Sequence, residues 1–252
     1  KEKFRAGDLT FGAWMEISHF AVAEIMAQTG FDFVVIDTEH GAYHQESLAI
    51  TLAAFNGLPT VPIVRVPWND KVMIKHALDA GTDGILVPWI KNTDQVAEAV
   101  AACKYPPDGV RGFGPWRASR YYREMEEYAR DANEALVTVT QLEHVDAADE
   151  IENILAVPGL DAVAIGPFDM SGSAGVLGQP KHPTVQGAIE RIAAAAKARG
   201  VPVCMGTGMP LDDQRKWVAQ GVNMVVTVDA LELLTEGTTA ALAGHKEALG
   251  AG

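Results

Sequence analysis

Residues 31–41 read Phe-Asp-Phe-Val-Val-Ile-Asp-Thr-Glu-His-Gly, an apolar run that ends in two carboxylates and an imidazole. The apolar stretch is typical of a buried parallel strand. A strand end with only a structural role rarely carries three titratable groups, Asp37, Glu39 and His40, within four residues. In a chain of repeated βα units, chemistry is placed at the C-terminal ends of the strands. The stretch therefore predicts both the fold and the position of the functional site.

Strand-like and helix-like segments alternate along the chain. Runs rich in Val, Ile, Leu, Ala and Met predict eight strands, at residues 9–16, 33–37, 61–66, 84–87, 136–141, 162–166, 201–205 and 224–228. Helical patterns lie between them at residues 20–28, 71–80, 93–103, 145–155, 184–199 and 211–220. Several of these stop at a glycine, namely Gly30, Gly81, Gly200 and Gly221. The repeat predicts an α/β fold, a (β/α)8 TIM barrel.

Two segments need separate predictions. A Pro-Pro-Asp-Gly turn at residues 106–109 opens a glycine-rich region, which we interpret as a long functional loop, 105–119, on one rim of the barrel. A charged helix is predicted at residues 120–131. Residues 230–249 are rich in Ala and Leu, and we expect a helix that closes the barrel or packs on a neighbouring subunit. Because no linker or low-complexity tract interrupts the chain, we expect one domain over residues 1–252.

Composition limits the possible functions. The chain has 252 residues, 48% of them apolar, which is enough for one large core. Its net charge of −13 and its scattered basic residues argue against nucleic acid as a partner. No run reaches the ~18 apolar residues that span a bilayer, and no secretory signal is visible. Cys103 and Cys204 lie in apolar stretches and are expected to be reduced core thiols. We therefore expect a cytoplasmic protein without a membrane partner.

Two carboxylates stand at the ends of adjacent predicted strands. Glu143 follows the fifth strand and Asp169 follows the sixth. Carboxylates that face each other over a barrel mouth repel unless a cation lies between them. Hard divalent ions take oxygen ligands and keep positions free for water or substrate, which suits a bidentate 2-oxo acid. The alternative is that both are ordinary rim residues or helix N-caps.

Arg65 lies in an apolar strand between Val64 and Val66. Arginine is rarely buried unless it is paired. One interpretation is an internal ion pair with Glu39 or Asp37. The other is stabilisation of negative charge on an oxyanion or enolate. The sequence leaves both open.

Other candidates carry weaker signals. His40, beside a carboxylate at a strand end, is either a core imidazole or a general base. Asp79 lies near the end of a predicted helix and carries no functional signal alone. Trp14, at the end of the first strand, is a candidate substrate contact. The Gly-Thr-Gly at residues 206–208 occupies the usual barrel phosphate position, but no Lys or Arg follows, which disfavours phosphate binding.

Taken together, these residues resemble the HpcH/HpaI aldolase family, the metal-dependent class II pyruvate aldolases. The match runs from Phe-Gly-Ala-Trp at residues 11–14 to the eighth strand. Its other motifs are residues 31–40, Val-Arg-Val-Pro at 64–67, residues 78–88, Arg111-Gly112, residues 117–121, Gln-Leu-Glu at 141–143 and Ile-Gly-Pro-Phe-Asp-Met-Ser at 165–171. Each piece is weak alone, but the combination in this order is specific.

The resemblance implies a role for most of the candidates. Glu143 and Asp169 correspond to ligands of a divalent metal ion, Mg²⁺, Mn²⁺ or Co²⁺. Arg65 corresponds to the stabiliser of enolate charge, His40 to the base, and Asp79 to a carboxylate that raises the basicity of His40. The implied substrate contacts are Gln141 and the backbone of Gly166, Pro167, Phe168 and Asp169, which holds the pyruvate carboxylate.

The resemblance also implies an assembly and leaves one specificity open. It predicts a homo-oligomer, commonly a hexamer, in which the C-terminal helix is exchanged between subunits. Met170 departs from the usual Leu, which should only adjust packing. Residues 113–116 look individual to this chain, so the choice of aldehyde is open, because a rim loop would line that side of the site.

The predicted activity is reversible cleavage of a 4-hydroxy-2-oxo acid to pyruvate, or hydroxypyruvate, and an aldehyde. No strand-end lysine is found in the predicted strands, and Lys71 and Lys75 lie on a predicted helix, which favours a metal-dependent over an imine mechanism. Alternatives are an oxaloacetate decarboxylase and a citryl- or malyl-CoA lyase-like enzyme, although no basic patch for CoA is seen. A barrel that binds a 2-oxo acid without catalysis is the non-enzymatic alternative.

Overall fold

A computed structural model describes residues 2–206 and 209–251. Eight parallel strands form a closed barrel in chain order, and β8 pairs with β1 to complete the ring. The strands are β1 (Thr10–Met15), β2 (Phe33–Asp37), β3 (Val61–Arg65), β4 (Gly84–Ile90), β5 (Val137–Leu142), β6 (Ala162–Ile165), β7 (Val203–Met205) and β8 (Met224–Asp229). The predicted (β/α)8 fold is confirmed.

Helices surround the barrel and alternate with the strands. They are α1 (Glu2–Ala6), α2 (Phe20–Thr29), α3 (Gln45–Ala53), α4 (Lys71–Asp79), α5 (Thr93–Cys103), α6 (Met125–Ala135), α7 (Ile151–Ile154), α8 (Pro167–Ser173), α9 (Pro183–Arg199), α10 (Leu211–Gln220) and α11 (Ala230–Leu249), with a 3₁₀ turn at Val145–Ala148. The four glycines predicted to stop helices all have positive φ angles. Among the described residues, no helix combines the length and the apolar character required to cross a membrane.

The apolar strands supply two layers of core at once. Along β2, Phe33 and Val35 point into the barrel, while Val34 and Ile36 pack against the helices. Successive side chains of a strand point to opposite faces, so a strand covered on both faces is apolar at every position. The same alternation sends Asp37 inward at the C-terminal mouth, in register with Arg65 of β3. The period of two therefore places polar strand-end residues in one opening.

The region between α5 and β5 corrects two predictions. The charged helix begins at Met125 rather than at residue 120, because Arg120, Tyr121 and Tyr122 have φ angles of 52°, 56° and 67° and form a turn. Loop 105–119 lies at the N-terminal end of the barrel, opposite the mouth. Its Arg117 amide donates to the Asp79 carbonyl (3.3 Å), where α4 ends near the start of β4. Within one chain, the loop therefore cannot line the strand-end pocket.

Candidate functional site

A cavity of about 390 Å³ opens at the C-terminal ends of the strands. Its wall includes most of the residues that the sequence singled out, namely Trp14, His40, Arg65, Gln141, Gly166, Pro167, Phe168 and Asp169. Asp37 also lines it, as do Glu16 and Asp229, which the candidate set did not include. The described chain thus brings together residues from strands on opposite sides of the barrel.

Arg65 is buried and held by two carboxylates. Its Nε and Nη2 donate to Asp37 Oδ1 and Oδ2 at 2.9 and 2.6 Å, and its Nη1 lies 3.0 Å from Glu39 Oε2. The guanidinium also lies over the Trp14 ring, 4.6 Å from the centroid. The predicted internal ion pair is therefore present. Two of the five N–H groups of the guanidinium donate hydrogen bonds, both to Asp37, while Nη1 forms a close ion pair with Glu39, so N–H groups remain for a ligand in the cavity.

Asp37 organises this side of the cavity. Besides Arg65, it accepts from Trp14 Nε1 at 3.2 Å and from the backbone amides of Glu39 and His40 at 3.0 and 3.3 Å. Burial alone would raise the pKa of the Asp37 carboxyl, but the hydrogen bonds and charge of Arg65 lower it below its usual value. Arg65 keeps its charge, because the carboxylates raise its pKa against the effect of burial. Asp37 is thus an ionised carboxylate that holds the charged guanidinium of Arg65 in position.

Glu143 lies behind the cavity wall and is almost fully buried. Its Oε2 accepts from the Trp89 amide at 2.6 Å and its Oε1 accepts from Gln141 Nε2 at 2.8 Å. Trp89 has a φ of 59°, an unusual conformation for a bulky residue, and this turn directs its N–H at the carboxylate. Burial, together with the charges of Asp169 and Glu39, raises the pKa of Glu143 to about 8.

Gly166 lets the backbone pass close to Glu143. A Cβ atom at this position would lie 2.6 Å from Glu143 Oε1 and 3.1 Å from Gln141 Nε2. Gly166 precedes α8, a short helix that the sequence did not predict and that begins at Pro167. Asp169 lies in the first turn of this helix and lines the cavity. Any side chain at Gly166 would therefore displace the carboxylate of Glu143.

His40 is exposed at the edge of the cavity, with its side chain 70% accessible. Its Nε2 lies 4.0 Å from Glu39 Oε1. Burial raises the pKa of Glu39, although the charge of Arg65 opposes this. The interpretation of His40 as a core imidazole is therefore wrong, and its position is compatible with proton transfer into the cavity.

Asp79 does not lie near His40 within one chain. It ends α4, at the N-terminal end of the barrel, where its Oδ1 accepts from Arg111 Nη2 at 2.7 Å. Arg111 in turn lies over the Tyr105 ring, 4.3 Å from the centroid. Burial raises the pKa of Asp79 in spite of this pairing. Within one chain Asp79 therefore does not reach His40, because α4 separates the two ends of the barrel, and its support of His40 stays a prediction.

A second carboxyl pair lines the cavity beside Trp14. Glu16 follows β1, and its carboxyl group lines the cavity together with that of Asp229, the last residue of β8. Burial, with the charge of Asp229, raises the pKa of Glu16 to about 8. The period of two along a strand predicts that Glu16 faces the cavity, because Glu16 is two positions beyond the inward-facing Trp14.

The predicted metal site lies within the described residues, whereas the possible phosphate site lies partly outside them. In residues 2–206 and 209–251, no three His, Cys, Asp or Glu residues are grouped so as to hold a metal ion. The assignment of Glu143 and Asp169 as metal ligands therefore stays a prediction, with two protein carboxylates and further ligands from water or substrate. The possible phosphate site falls on Thr207 and Gly208, which lie outside the described residues.

Similar proteins share both the sequence and the fold. A relative from Salmonella arizonae, 4-hydroxy-2-oxo-heptane-1,7-dioate aldolase, is 41% identical over 207 residues, which cover 80% of this chain and 78% of the relative. A solved HpcH/HpaI aldolase/citrate lyase family protein from Burkholderia cenocepacia J2315 has a TM-score of 0.90 at 31% identity, covering 97% and 98% of the two chains. The solved citrate synthase SbnG has a TM-score of 0.84 at 31% identity, covering 98% and 96%.

A protein-family model also matches most of the chain. The family model for HpcH/HpaI aldolase/citrate lyase covers residues 10–232, from the first residue of β1 into α11. This range contains every strand of the barrel and every residue of the cavity described above. The chain belongs to the HpcH/HpaI aldolase/citrate lyase family.

Proposed function

We propose that the protein is a divalent-metal-dependent aldolase that reversibly cleaves a 4-hydroxy-2-oxo acid into pyruvate, or hydroxypyruvate, and an aldehyde. The observation that carries the proposal is Arg65, a buried cation locked by Asp37 and Glu39, which lines one cavity together with His40 and Asp169. The relatives named 4-hydroxy-2-oxo-heptane-1,7-dioate aldolase support the same class of reaction.

The oxygen atoms around Glu143 fit a hard divalent ion. Burial and the charge of Asp169 raise the pKa of Glu143, so a bound cation would stabilise the ionised carboxylates of Glu143 and Asp169. Gln141 Oε1 is buried and has no hydrogen-bond partner among the described residues, which adds a free oxygen beside Glu143. Glu143 and Asp169 would hold Mg²⁺, Mn²⁺ or Co²⁺. When bound, the ion would polarise the 2-oxo group and stabilise negative charge on its oxygen.

The protein side chains supply orientation, charge and proton transfer. N–H groups of Arg65 that are not bonded to Asp37 donate to the 2-oxo oxygen and stabilise its negative charge as the C3–C4 bond breaks. The imidazole of His40 takes the proton from the C4 hydroxyl, with Glu39 as its nearest carboxylate in the same chain. Gln141 and the backbone of residues 166–169 line the part of the cavity that holds the 2-oxo acid, and Trp14 contributes to the same cavity from β1.

The C-terminal helix supports a homo-oligomeric protein. Along α11 every residue after Ala230 is exposed, and the exposed apolar side chains are Leu231, Leu233, Leu234, Leu242 and Leu249. A helix of this length with an exposed apolar side needs a covering surface. We propose that it packs on another copy of the chain, in a hexamer, and that residues 1–252 form one domain. Light scattering on the purified protein tests this, and a monomer would contradict it.

A cleavage assay tests the proposed reaction. The protein is incubated with 4-hydroxy-2-oxo acids of different length, and pyruvate release is followed by a coupled enzyme. We expect that EDTA abolishes release and that Mn²⁺, Co²⁺ or Mg²⁺ restores it. Full activity in EDTA, with borohydride trapping of pyruvate on the protein, would overturn the metal-dependent mechanism. No pyruvate from any substrate in the presence of metal would overturn the activity itself.

A further inference from the structure

Two neighbouring strands bring Glu16 and Asp229 together at the cavity. β1 and β8 are paired with Trp14 in register with Asp229, and Glu16 lies two residues further towards the mouth. Both carboxyl groups line the cavity, and the charge of Asp229 is one of the causes that raise the pKa of Glu16. Neighbouring carboxyl groups repel when both are ionised, which favours protonation of one of them. The pair therefore presents one negative charge and one O–H group.

The fold decides which partner carries the charge. Asp229 is the N-cap of α11, and its Oδ1 accepts from the Glu232 amide at 3.0 Å. The partial positive charge of a helix N-terminus therefore lies at Asp229 and not at Glu16. Glu16 is partly buried and faces the charges of Asp229 and Asp37, so it holds the proton. Its Oε2 is buried and has no hydrogen-bond partner among the described residues.

The basic groups of the cavity do not offset this charge. In the described lining they are Arg65 and His40. Arg65 is already paired with Asp37 and Glu39. β1 lies four strands from β5 in a ring of eight, so the Glu16–Asp229 pair lies across the barrel from Glu143. A substrate whose 2-oxo acid end lies towards β5 and β6 extends its other end towards this pair.

We propose that Glu16 and Asp229 determine which aldehyde the enzyme accepts: they select uncharged, hydroxyl-bearing aldehydes and disfavour aldehydes that carry a carboxylate. This inference rests on the proposed aldolase function. A hydroxyl group of the aldehyde donates to Asp229 and accepts from the Glu16 O–H, whereas a carboxylate meets a like charge. The relatives are named for a 1,7-dioate, whose cleavage to pyruvate leaves an aldehyde with a carboxylate. The acceptor of this chain therefore differs in charge from theirs.

The wild-type enzyme provides the first test. Addition of pyruvate is measured with succinate semialdehyde, with its uncharged methyl ester and with glyceraldehyde. We expect kcat/KM to be at least about tenfold higher for the ester and for glyceraldehyde than for the charged aldehyde, since like charges at short range cost this much in a partly buried site. An equal or higher kcat/KM for succinate semialdehyde overturns the inference. This comparison does not depend on the folding of any variant.

A double variant, Glu16→Gln with Asp229→Asn, provides the second test. Asn is a good N-cap, so α11 keeps its first turn, while the pair loses its charge. We expect the preference for glyceraldehyde over succinate semialdehyde to fall about tenfold. Asp212→Asn is the matched control, because it removes an acid whose side chain is 91% exposed on α10, and its preference should match the wild type. An unchanged preference in the double variant overturns the inference.

A reaction that needs no aldehyde separates the two proposals. NMR measures the exchange of the C3 hydrogens of pyruvate in D₂O. The protein is supplied with Mg²⁺ that contains no Mn²⁺, and the exchange reports enolate formation alone. Exchange together with a preference for the charged aldehyde would overturn only the assignment of Glu16 and Asp229. Absence of exchange would overturn the proposed function, on which that assignment rests.

Discussion

Asp37→Asn is the substitution that most directly tests how Arg65 is held. The carboxylate of Asp37 receives five hydrogen bonds and is 1% exposed. An Asn can keep the acceptor at Oδ1, but its amide group replaces Oδ2 and turns an N–H donor towards Arg65 Nη2 and Trp14 Nε1. Arg65 then retains only Glu39 as a charged partner. The variant therefore leaves a buried cation largely uncompensated.

The expected cost follows from these contacts. Removal of one partner of a buried ion pair costs about 3–5 kcal/mol, and the remaining Glu39 places this case near the lower end, at about 3 kcal/mol. For a domain of this size, that loss lowers the melting temperature by about 10 °C. Asp212→Asn, which removes an exposed acid paired with Arg215, should show no measurable change. Urea unfolding of the two variants and the wild type measures the difference.

The same substitution has a defined pH dependence. The pKa of Asp37 in the folded protein is below its ordinary value of 3.8, so its stabilising contribution is present above that value. The contribution is lost as the pH falls through the lowered pKa. The difference in unfolding free energy between wild type and variant should therefore be largest near neutral pH and shrink in acid. A difference below about 1 kcal/mol at neutral pH would refute the argument that Asp37 compensates Arg65.

Three further predictions follow from the site. Gly166→Ala should lower kcat/KM and metal affinity at least about tenfold, because its Cβ would lie 2.6 Å from Glu143 Oε1, whereas Gly187→Ala, with nothing within 4 Å, should be neutral or stabilising. Glu16→Gln should flatten the pH dependence of stability: the raised pKa of Glu16 makes the wild type lose unfolding free energy as the pH rises from about 4.5 to about 8. Arg65→Lys should lower kcat at least about tenfold, since lysine cannot form the bidentate pair with Asp37. Isothermal titration, urea unfolding at several pH values and cleavage kinetics are the respective measurements, and wild-type behaviour in any of them contradicts that prediction.

Strand periodicity explains how much of the site the sequence could predict. Asp37 and Gln141 are separated by even numbers of positions from inward-facing residues of their own strands, and this period sends them to the same opening. The same count identifies Glu16 two positions after Trp14. Its carboxyl partner comes from β8, at the other end of the chain, so only barrel closure brings the pair together. The proximity of Glu16 and Asp229 could therefore be recognised only from the three-dimensional structure.

The misplaced loop has a different cause. A segment that follows a helix and precedes a strand lies at the N-terminal end of a βα barrel, and loop 105–119 follows α5. The interpretation of residues 120–131 as a complete helix obscured this alternation. Three consecutive residues with positive φ, starting at Arg120, delay the helix, and such angles are rare for arginine and tyrosine. Asp79 lies against this loop at the end of α4, as its predicted helix end requires, and its link to His40 came from the family resemblance rather than from the strand pattern.

The most direct test of the proposed chemistry is C3 hydrogen exchange in pyruvate, measured by NMR in D₂O without any aldehyde. The wild-type protein with Mg²⁺ should exchange these hydrogens, EDTA should stop the exchange, and restored metal should recover it. Arg65→Ala with metal should exchange at least about a hundredfold more slowly, because the negative charge then lacks its cation. Exchange that continues unchanged in EDTA, or at the wild-type rate in the Arg65 variant, would contradict the account.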